Sequence, residues 1–301
     1  MTAARHASMP FSQLAIDLGA TDPGRAEAAC FALGAWSVSL ADAADHPLLE
    51  PPPGETPMWP VTCARALFPP AADAAMLAAT LMAVLALPAA AIRIETVEDR
   101  VWEREWLKDF RPMRFGRRLW ICPGGQQVIE PDAVVLELDP GLAFGTGTHA
   151  TTAMCLAWLD GCQLESSRVL DYGCGSGILA LAALKLGARS ACACDIDPQA
   201  LIATRDNAAR NALDDRLEVR SAGDGLPGPF DVVLANILAG PLQRLAPDFG
   251  RLCRPGGRLL LAGLLAEQAE EVAAAYLPCF DIRPVARRDG WIALAGHRRP
   301  E

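Results

Sequence analysis

Between the strand-like run Ser167-Arg168-Val169-Leu170 and the apolar stretch ILALAALKLG stands the turn Asp171-Tyr172-Gly173-Cys174-Gly175-Ser176-Gly177. A glycine-rich turn that ends a strand and opens a helix commits the chain around it to a βα unit. The segments that follow keep the same rhythm: SACACDID, PQALIATRDNAARNA, RLEVRSAG and FDVVLAN. Apolar strands alternating with helical stretches predict a parallel sheet wrapped on both faces, an α/β doubly wound fold. After RLLLAGLL and a helix starting near Glu267, the runs FDIRPVARR and WIALAGHR flank Asp289-Gly290. That pairing predicts a carboxy-terminal antiparallel hairpin.

The first third reads differently. FSQLAIDL alternates like a half-buried strand, Asp22-Pro23 opens a helix that Gly34 stops, and AWSVSLAD is a second strand. A Pro-rich break, LLEPPPGETP, precedes a strand at VTCARALF, an Ala-rich helix from Asp73 to the residues before Pro88, and a strand at AIRIETVE. The order βαββαβ is the ferredoxin-like α+β signature. Residues 1–97 are therefore expected to form a small domain, 98–117 a linker helix and connector, and 118–301 the doubly wound domain. In the linker, Trp102, Trp106 and Phe110 repeat at helical spacing and would form one aromatic stripe. Lys108, Arg111, Arg114, Arg117 and Arg118 form a basic run, read as a solvated face in preference to an RNA contact.

With 301 residues and 51% apolar side chains, the chain can bury its own core without metal or disulfide staples. Its 27 Lys and Arg against 36 Asp and Glu leave a charge of −9, which disfavours unspecific attraction to nucleic acid or anionic lipid and suits a basic partner. Ten cysteines and four histidines are scattered without a zinc-like spacing, so buried reduced thiols are expected and no metal site. Ala74 to Ile92 lacks charge, but Pro88 interrupts it, and a packed helix is expected in place of a membrane span. No apolar core region opens the chain, so a cytoplasmic address is expected.

Ligands of doubly wound sheets bind at the carboxyl ends of the strands. Gly173 lets the backbone approach a ligand, and free amides at the helix start would favour negative groups. Asp195 ends the next strand, where a carboxylate can accept both hydroxyls of a ribose. The even spacing of Gly173, Gly175 and Gly177, with Ile178 where a dinucleotide fingerprint needs its third glycine, speaks against a nicotinamide dehydrogenase. Asp171 would repel a pyrophosphate and suits a cofactor carrying an ammonium and a sulfonium. Upstream, the loop from Leu142 to Thr152 holds Thr146, Thr148, Thr151 and Thr152. One helix needs one cap, so the surplus of threonines suggests a ligand-covering lid. Asn236 ends the fourth parallel strand and would face the same crevice, although turn formation alone would also explain an asparagine there.

These stretches, DPGLAFGTGTHATT, DYGCGSGILALAALKLGA, DIDPQA and NILAGPL, with WEREWLKDFRPMRFGRRLWICP before them, resemble the bacterial ribosomal protein L-eleven methyltransferase family. That family is a lysine-modifying branch of the class I S-adenosylmethionine-dependent methyltransferases. The resemblance implies that Thr152, Gly173, Asp195 and Asn236 bind S-adenosylmethionine; the side-chain carbonyl of Asn236 can in addition accept a proton from an incoming amine, which makes Asn236 the candidate catalytic residue. It implies a protein-lysine N-methyltransferase, with α-amino groups as a further target, whose amino-terminal domain recruits a basic large-subunit ribosomal protein. A monomer with no membrane or direct nucleic acid requirement is expected. His149-Ala150 replaces the His-Pro frequent in relatives, a change tolerated at an N-terminal helical position. Two alternatives stay open: an N-methyltransferase acting on a nucleobase or glutamine amide, and a non-catalytic cofactor-binding module. His149 as a proton acceptor is a further hypothesis.

Overall fold

The structure is a computed structural model that describes residues 11–44, 58–97, 111–124, 126, 128–139 and 147–300. The chain divides into two compact units, Met1–Val101 and Trp102–Glu301.

In the first unit, β1 (Phe11–Asp17), α1 (Pro23–Ala32), β2 (Ser37–Asp42), β3 (Thr62–Phe68), α2 (Ala74–Leu85) and β4 (Ile92–Val97) follow the expected order. The sheet order is β2-β3-β1-β4, antiparallel at each pairing. Period-two alternation explains its one-sided core: Leu14, Ile16, Ala64, Ala66 and Phe68 pack with Ala26 and Cys30 of α1 and Leu77 and Leu81 of α2. Both helices begin where the sequence places a cap. The Asp22 side chain accepts from Arg25 N at 2.8 Å, and Asp73 accepts from Ala75 and Met76 N at 3.1 Å. α2 has 12 residues, and among the described residues no helix is long and apolar enough to cross a membrane.

The second unit holds a seven-stranded sheet. Its strands are β8 (Arg168–Tyr172), β9 (Ser190–Asp195), β10 (Leu217–Ser221), β11 (Phe230–Asn236), β12 (Cys253–Leu265), β13 (Phe280–Arg288) and β14 (Trp291–Arg298). They lie in the order β10-β9-β8-β11-β12-β14-β13. The pairings from β10 to β12 are parallel, and β14 and β13 add antiparallel to that edge through the expected turn, with Asp289 and Gly290 both at positive φ. Adjacent residues enter opposite faces. Val169, Val232 and Leu234 join Leu156 of α3 (Ala150–Asp160) and Leu181 of α4 (Ile178–Lys185), with Ala208 of α5 (Pro198–Arg210). Leu170, Val233 and Ala235 join Leu242 and Phe249 of α6 (Ala239–Leu252) and Val272 and Tyr276 of α7 (Ala269–Tyr276). Successive units run outward from β8 toward β10 in one direction and through β11 in the other, so the order reverses between β8 and β11. The carboxyl ends of those two strands therefore border a crevice.

A three-stranded sheet of β5 (Met113–Phe115), β6 (Leu119–Cys122) and β7 (Val134–Glu137) was not expected from the sequence. β5 falls within the stretch read as connector, and it pairs with β6 over three residues. All ten cysteines are free, eight of them buried. Trp102, Trp106, Lys108 and Phe110, the Pro-rich break and Leu142 to Thr146 lie outside the described residues.

Candidate active site

The four residues singled out in the sequence meet at the carboxyl ends of β8, β9 and β11 and the start of α3. Asn236 ends β11, and its Nδ2 donates to Thr152 Oγ1 at 3.2 Å across 84 residues of chain. Thr152 is 3% exposed, so this hydroxyl is inside the fold, whereas Asn236 is half-buried at the crevice edge. Ile237 follows Asn236, and its Cγ2 methyl occupies the space that a Cβ on Gly173 would need. Gly173 has φ +77, a backbone that only glycine adopts without strain. Two residues on, Gly175 N donates to Asp195 Oδ2 at 3.0 Å, and Asp197 N donates to Asp195 Oδ1 at 3.0 Å. Thr152, Asn236, Gly173 and Asp195 are thus linked by an almost continuous chain of contacts.

Two expectations about the turn need correction. Four of its amides are spent inside the protein: Gly173 N and Cys174 N both donate to Cys194 O, Gly175 N to Asp195 and Gly177 N to Cys174 O. Those four are not offered to an anion. Asp171, read as facing a cationic ligand, is 1% exposed and turned beneath the turn. Its Oδ2 accepts from Ala180 N in the first turn of α4 at 2.9 Å, while Oδ1 is buried without a hydrogen-bond partner. A carboxylate at a helix start favours the dipole, but the site is dry. Burial pushes the Asp171 carboxyl up to about 7, against the lowering effect of the Ala180 bond and with a raising contribution from the Asp195 charge.

The cap of α3 also differs from the threonine reading. His149 is the N-cap: Nδ1 accepts from Thr151 N at 3.4 Å and lies 2.7 Å from Thr151 Oγ1. Its ring stands edge-on to Trp291, with centroids 4.9 Å apart. A ring nitrogen held this way orders the helix start.

Other contributors gave no motif. Thr204 and Asn207 of α5 are fully buried, and they donate to Gly175 O and Ser176 O at 3.0 Å each. Asn207 Oδ1 also accepts from Asp139 N at 3.0 Å, and Asn211 bonds both N–H and C=O of Glu137. These side chains clamp the turn to the residues just after β7. Their signal was a set of polar residues recurring at helical spacing on a face that must be buried. Ile196, next to Asp195, is 86% exposed and gives the crevice rim an apolar edge.

The donor set fits a hydroxyl-bearing, cationic nucleoside. Asp195 has its oxygens fixed by two amides with lone pairs to spare, so its carboxylate can accept hydroxyls at the crevice and favours positive charge there.

Comparison with known proteins agrees with this architecture. The family model described as "Ribosomal protein L11 methyltransferase (PrmA)" matches residues 10–299. The ribosomal protein L11 methyltransferase of Azotobacter vinelandii is 52% identical over 292 residues, covering 97% of this chain and 100% of the relative. That of Pseudomonas aeruginosa is 51% identical over 294 residues, again with 97% and 100% coverage. The crystal structure of the ribosomal protein L11 methylase from Lactobacillus delbrueckii subsp. bulgaricus superposes with TM-score 0.59 at 33% identity, covering 64% of this chain and 100% of that one. With its motifs in order, its crevice at the sheet's reversal and a match along nearly its whole length, the chain belongs to the ribosomal protein L11 methyltransferase family.

Proposed function

We propose that this protein transfers methyl groups from S-adenosylmethionine to lysine, and also α-amino, nitrogens of ribosomal protein L11. The observation that carries the reading is the junction of Thr152, Asn236, Gly173 and Asp195 at one crevice, in a chain whose relatives are named ribosomal protein L11 methyltransferases. When bound, S-adenosylmethionine supplies an electrophilic methyl group on a sulfonium. Asp195 accepts the ribose hydroxyls, with its carboxylate held by Gly175 and Asp197 amides. Ile196 offers its exposed apolar surface to the flat face of the base.

The chain's remaining work is alignment and exclusion of water, because a displacement between two held reactants gains most from orientation. Asn236 Nδ2 is committed to Thr152, which turns Oδ1 into the free half of the carboxamide. That oxygen accepts an N–H of the incoming amine and points its lone pair at the methyl group. A lysine with a pKa of ~10.4 must arrive neutral, and the exposed apolar side chain of Leu238 beside Asn236 disfavours the ammonium form. The amino-terminal unit is assigned to recognition of the ribosomal protein, and the reading includes a cytoplasmic monomer. Neither the nucleobase or amide alternative nor the non-catalytic module is favoured by an observation on this chain.

Incubation of the purified protein with methyl-labelled S-adenosylmethionine and unmodified L11 tests this reading. Label on lysine and terminal amines of L11, located by peptide mass spectrometry, is the expected result. No label on L11, or cofactor binding without transfer, refutes it.

A further inference from the structure

Building on the assignment of Asn236 above, we propose that Ile237 is a positioning residue: a wedge that transmits the shape of the glycine-rich turn to the Asn236 carboxamide. Ile237 is half-buried and packs on the cluster that includes Leu242 and Phe249. On one side its Cγ2 fills the space beside Gly173, where a Cβ would overlap it. On the other side its backbone runs against Gly263 of β12, which has φ +86. A Cβ there would overlap the Ile237 carbonyl oxygen and stand 3.0 Å from its N. Asn236 is in register with Ala262, and the pairing of β12 with β14 shifts between Leu261 and Leu264, around Gly263. The residue that follows the asparagine is therefore gripped between two positions without a side chain, one on the cofactor side and one on the neighbouring strand. The two grips differ in kind. Against Gly173 the contact is a methyl group, which a smaller side chain removes; against Gly263 it is backbone, which no change at 237 relieves.

That difference makes the test. In the full-length enzyme, kcat with L11 and calorimetric affinity for S-adenosylmethionine are measured for Gly173→Ala, Gly263→Ala, Ile237→Ala and their pairings, with folding checked by circular dichroism. Gly173→Ala is expected to lower kcat by about 100-fold, the scale of a misplacement near 1 Å. Adding Ile237→Ala should recover about tenfold of it, leaving the tenfold loss that removal of the wedge by itself produces. Adding Ile237→Val, which keeps the Cγ2 methyl, should recover little, and Gly263→Ala should not be rescued by Ile237→Ala. Ile237→Ala alone should lower kcat by about tenfold with cofactor affinity within about threefold, a split that a purely structural residue would not produce. A Gly173→Ala/Ile237→Ala protein that is folded yet no faster than Gly173→Ala overturns the wedge; if Gly173→Ala does not fold, unchanged kcat in Ile237→Ala overturns it. Full turnover in Asn236→Ala would instead sink the role of Asn236, while rescue of cofactor affinity in the Gly173 and Ile237 pair would still judge the steric coupling.

Discussion

Asn236 and Thr152 illustrate how a side chain is aimed by its own hydrogen bond. With Nδ2 donated to Thr152, the carboxamide cannot flip without breaking a bond into a 3% exposed hydroxyl. Asn236→Ala is expected to lower kcat by at least ~100-fold while cofactor affinity changes by less than about tenfold, since only the reacting amine loses its acceptor. Calorimetric affinity that falls as far as turnover would refute that division. Asp171 supports a prediction about pH. Its carboxyl lies near 7 in the folded chain against an ordinary 3.8, so the folded state holds a proton that the unfolded state gives up over that window. The stability it contributes is present below about pH 4 and is lost as pH rises through 7. Asp171→Asn, which can still accept from Ala180 N, should leave stability at pH 4 nearly unchanged and raise it at pH 8, by roughly 4 kcal/mol at most. Denaturant unfolding of the cofactor-free enzyme across this range checks the sign; a variant less stable than the parent at pH 8 would contradict it.

At the scale of elements, α5 does more than cover the sheet. Asn207 satisfies Ser176 O and Asp139 N together, so one buried side chain holds the glycine-rich turn and the residues after β7 in a fixed relation. Asn207→Ala removes both of these bonds made by a fully buried side chain and is expected to cost about 1–3 kcal/mol, with weakened cofactor affinity. A thermal melt and a binding titration measure the two effects; loss of stability with affinity intact would show that the turn does not depend on this tie. The long elements could be read from sequence because their periodicity and caps are local: Asp22 and Asp73 each bond an amide two or three residues on. The small sheet could not. Strands of three or four residues, such as Met113–Phe115 and Leu119–Cys122, are too short to show alternation, and Leu119 and Ile121 earn their burial against α3 and α4.

For the whole molecule, each unit has its own apolar core: one drawn from residues between Leu14 and Ile92, the other two from residues between Met113 and Leu294 or Ala295. A fragment starting at Trp102 is therefore expected to fold, to bind S-adenosylmethionine within about threefold of the full chain, and to methylate L11 at least ~100-fold more slowly. A fragment that methylates L11 at the full rate would remove the recognition role from the amino-terminal unit. Apart from the small sheet, the order of strands and helices, the two fold classes, and the positions of Thr152, Gly173, Asp195 and Asn236 at element ends were determined by the sequence alone, because side-chain periodicity and turn chemistry act over a few residues. The direction each polar group faces was decided only by tertiary structure. Asp171 turned inward to α4, the turn's amides bonded Cys194 and Asp195, and His149 became the cap of α3. Whether a polar group near a crevice is spent inside the protein or left for a ligand depends on which strand ends pack beside it, and that is a property of chain contacts tens of residues apart.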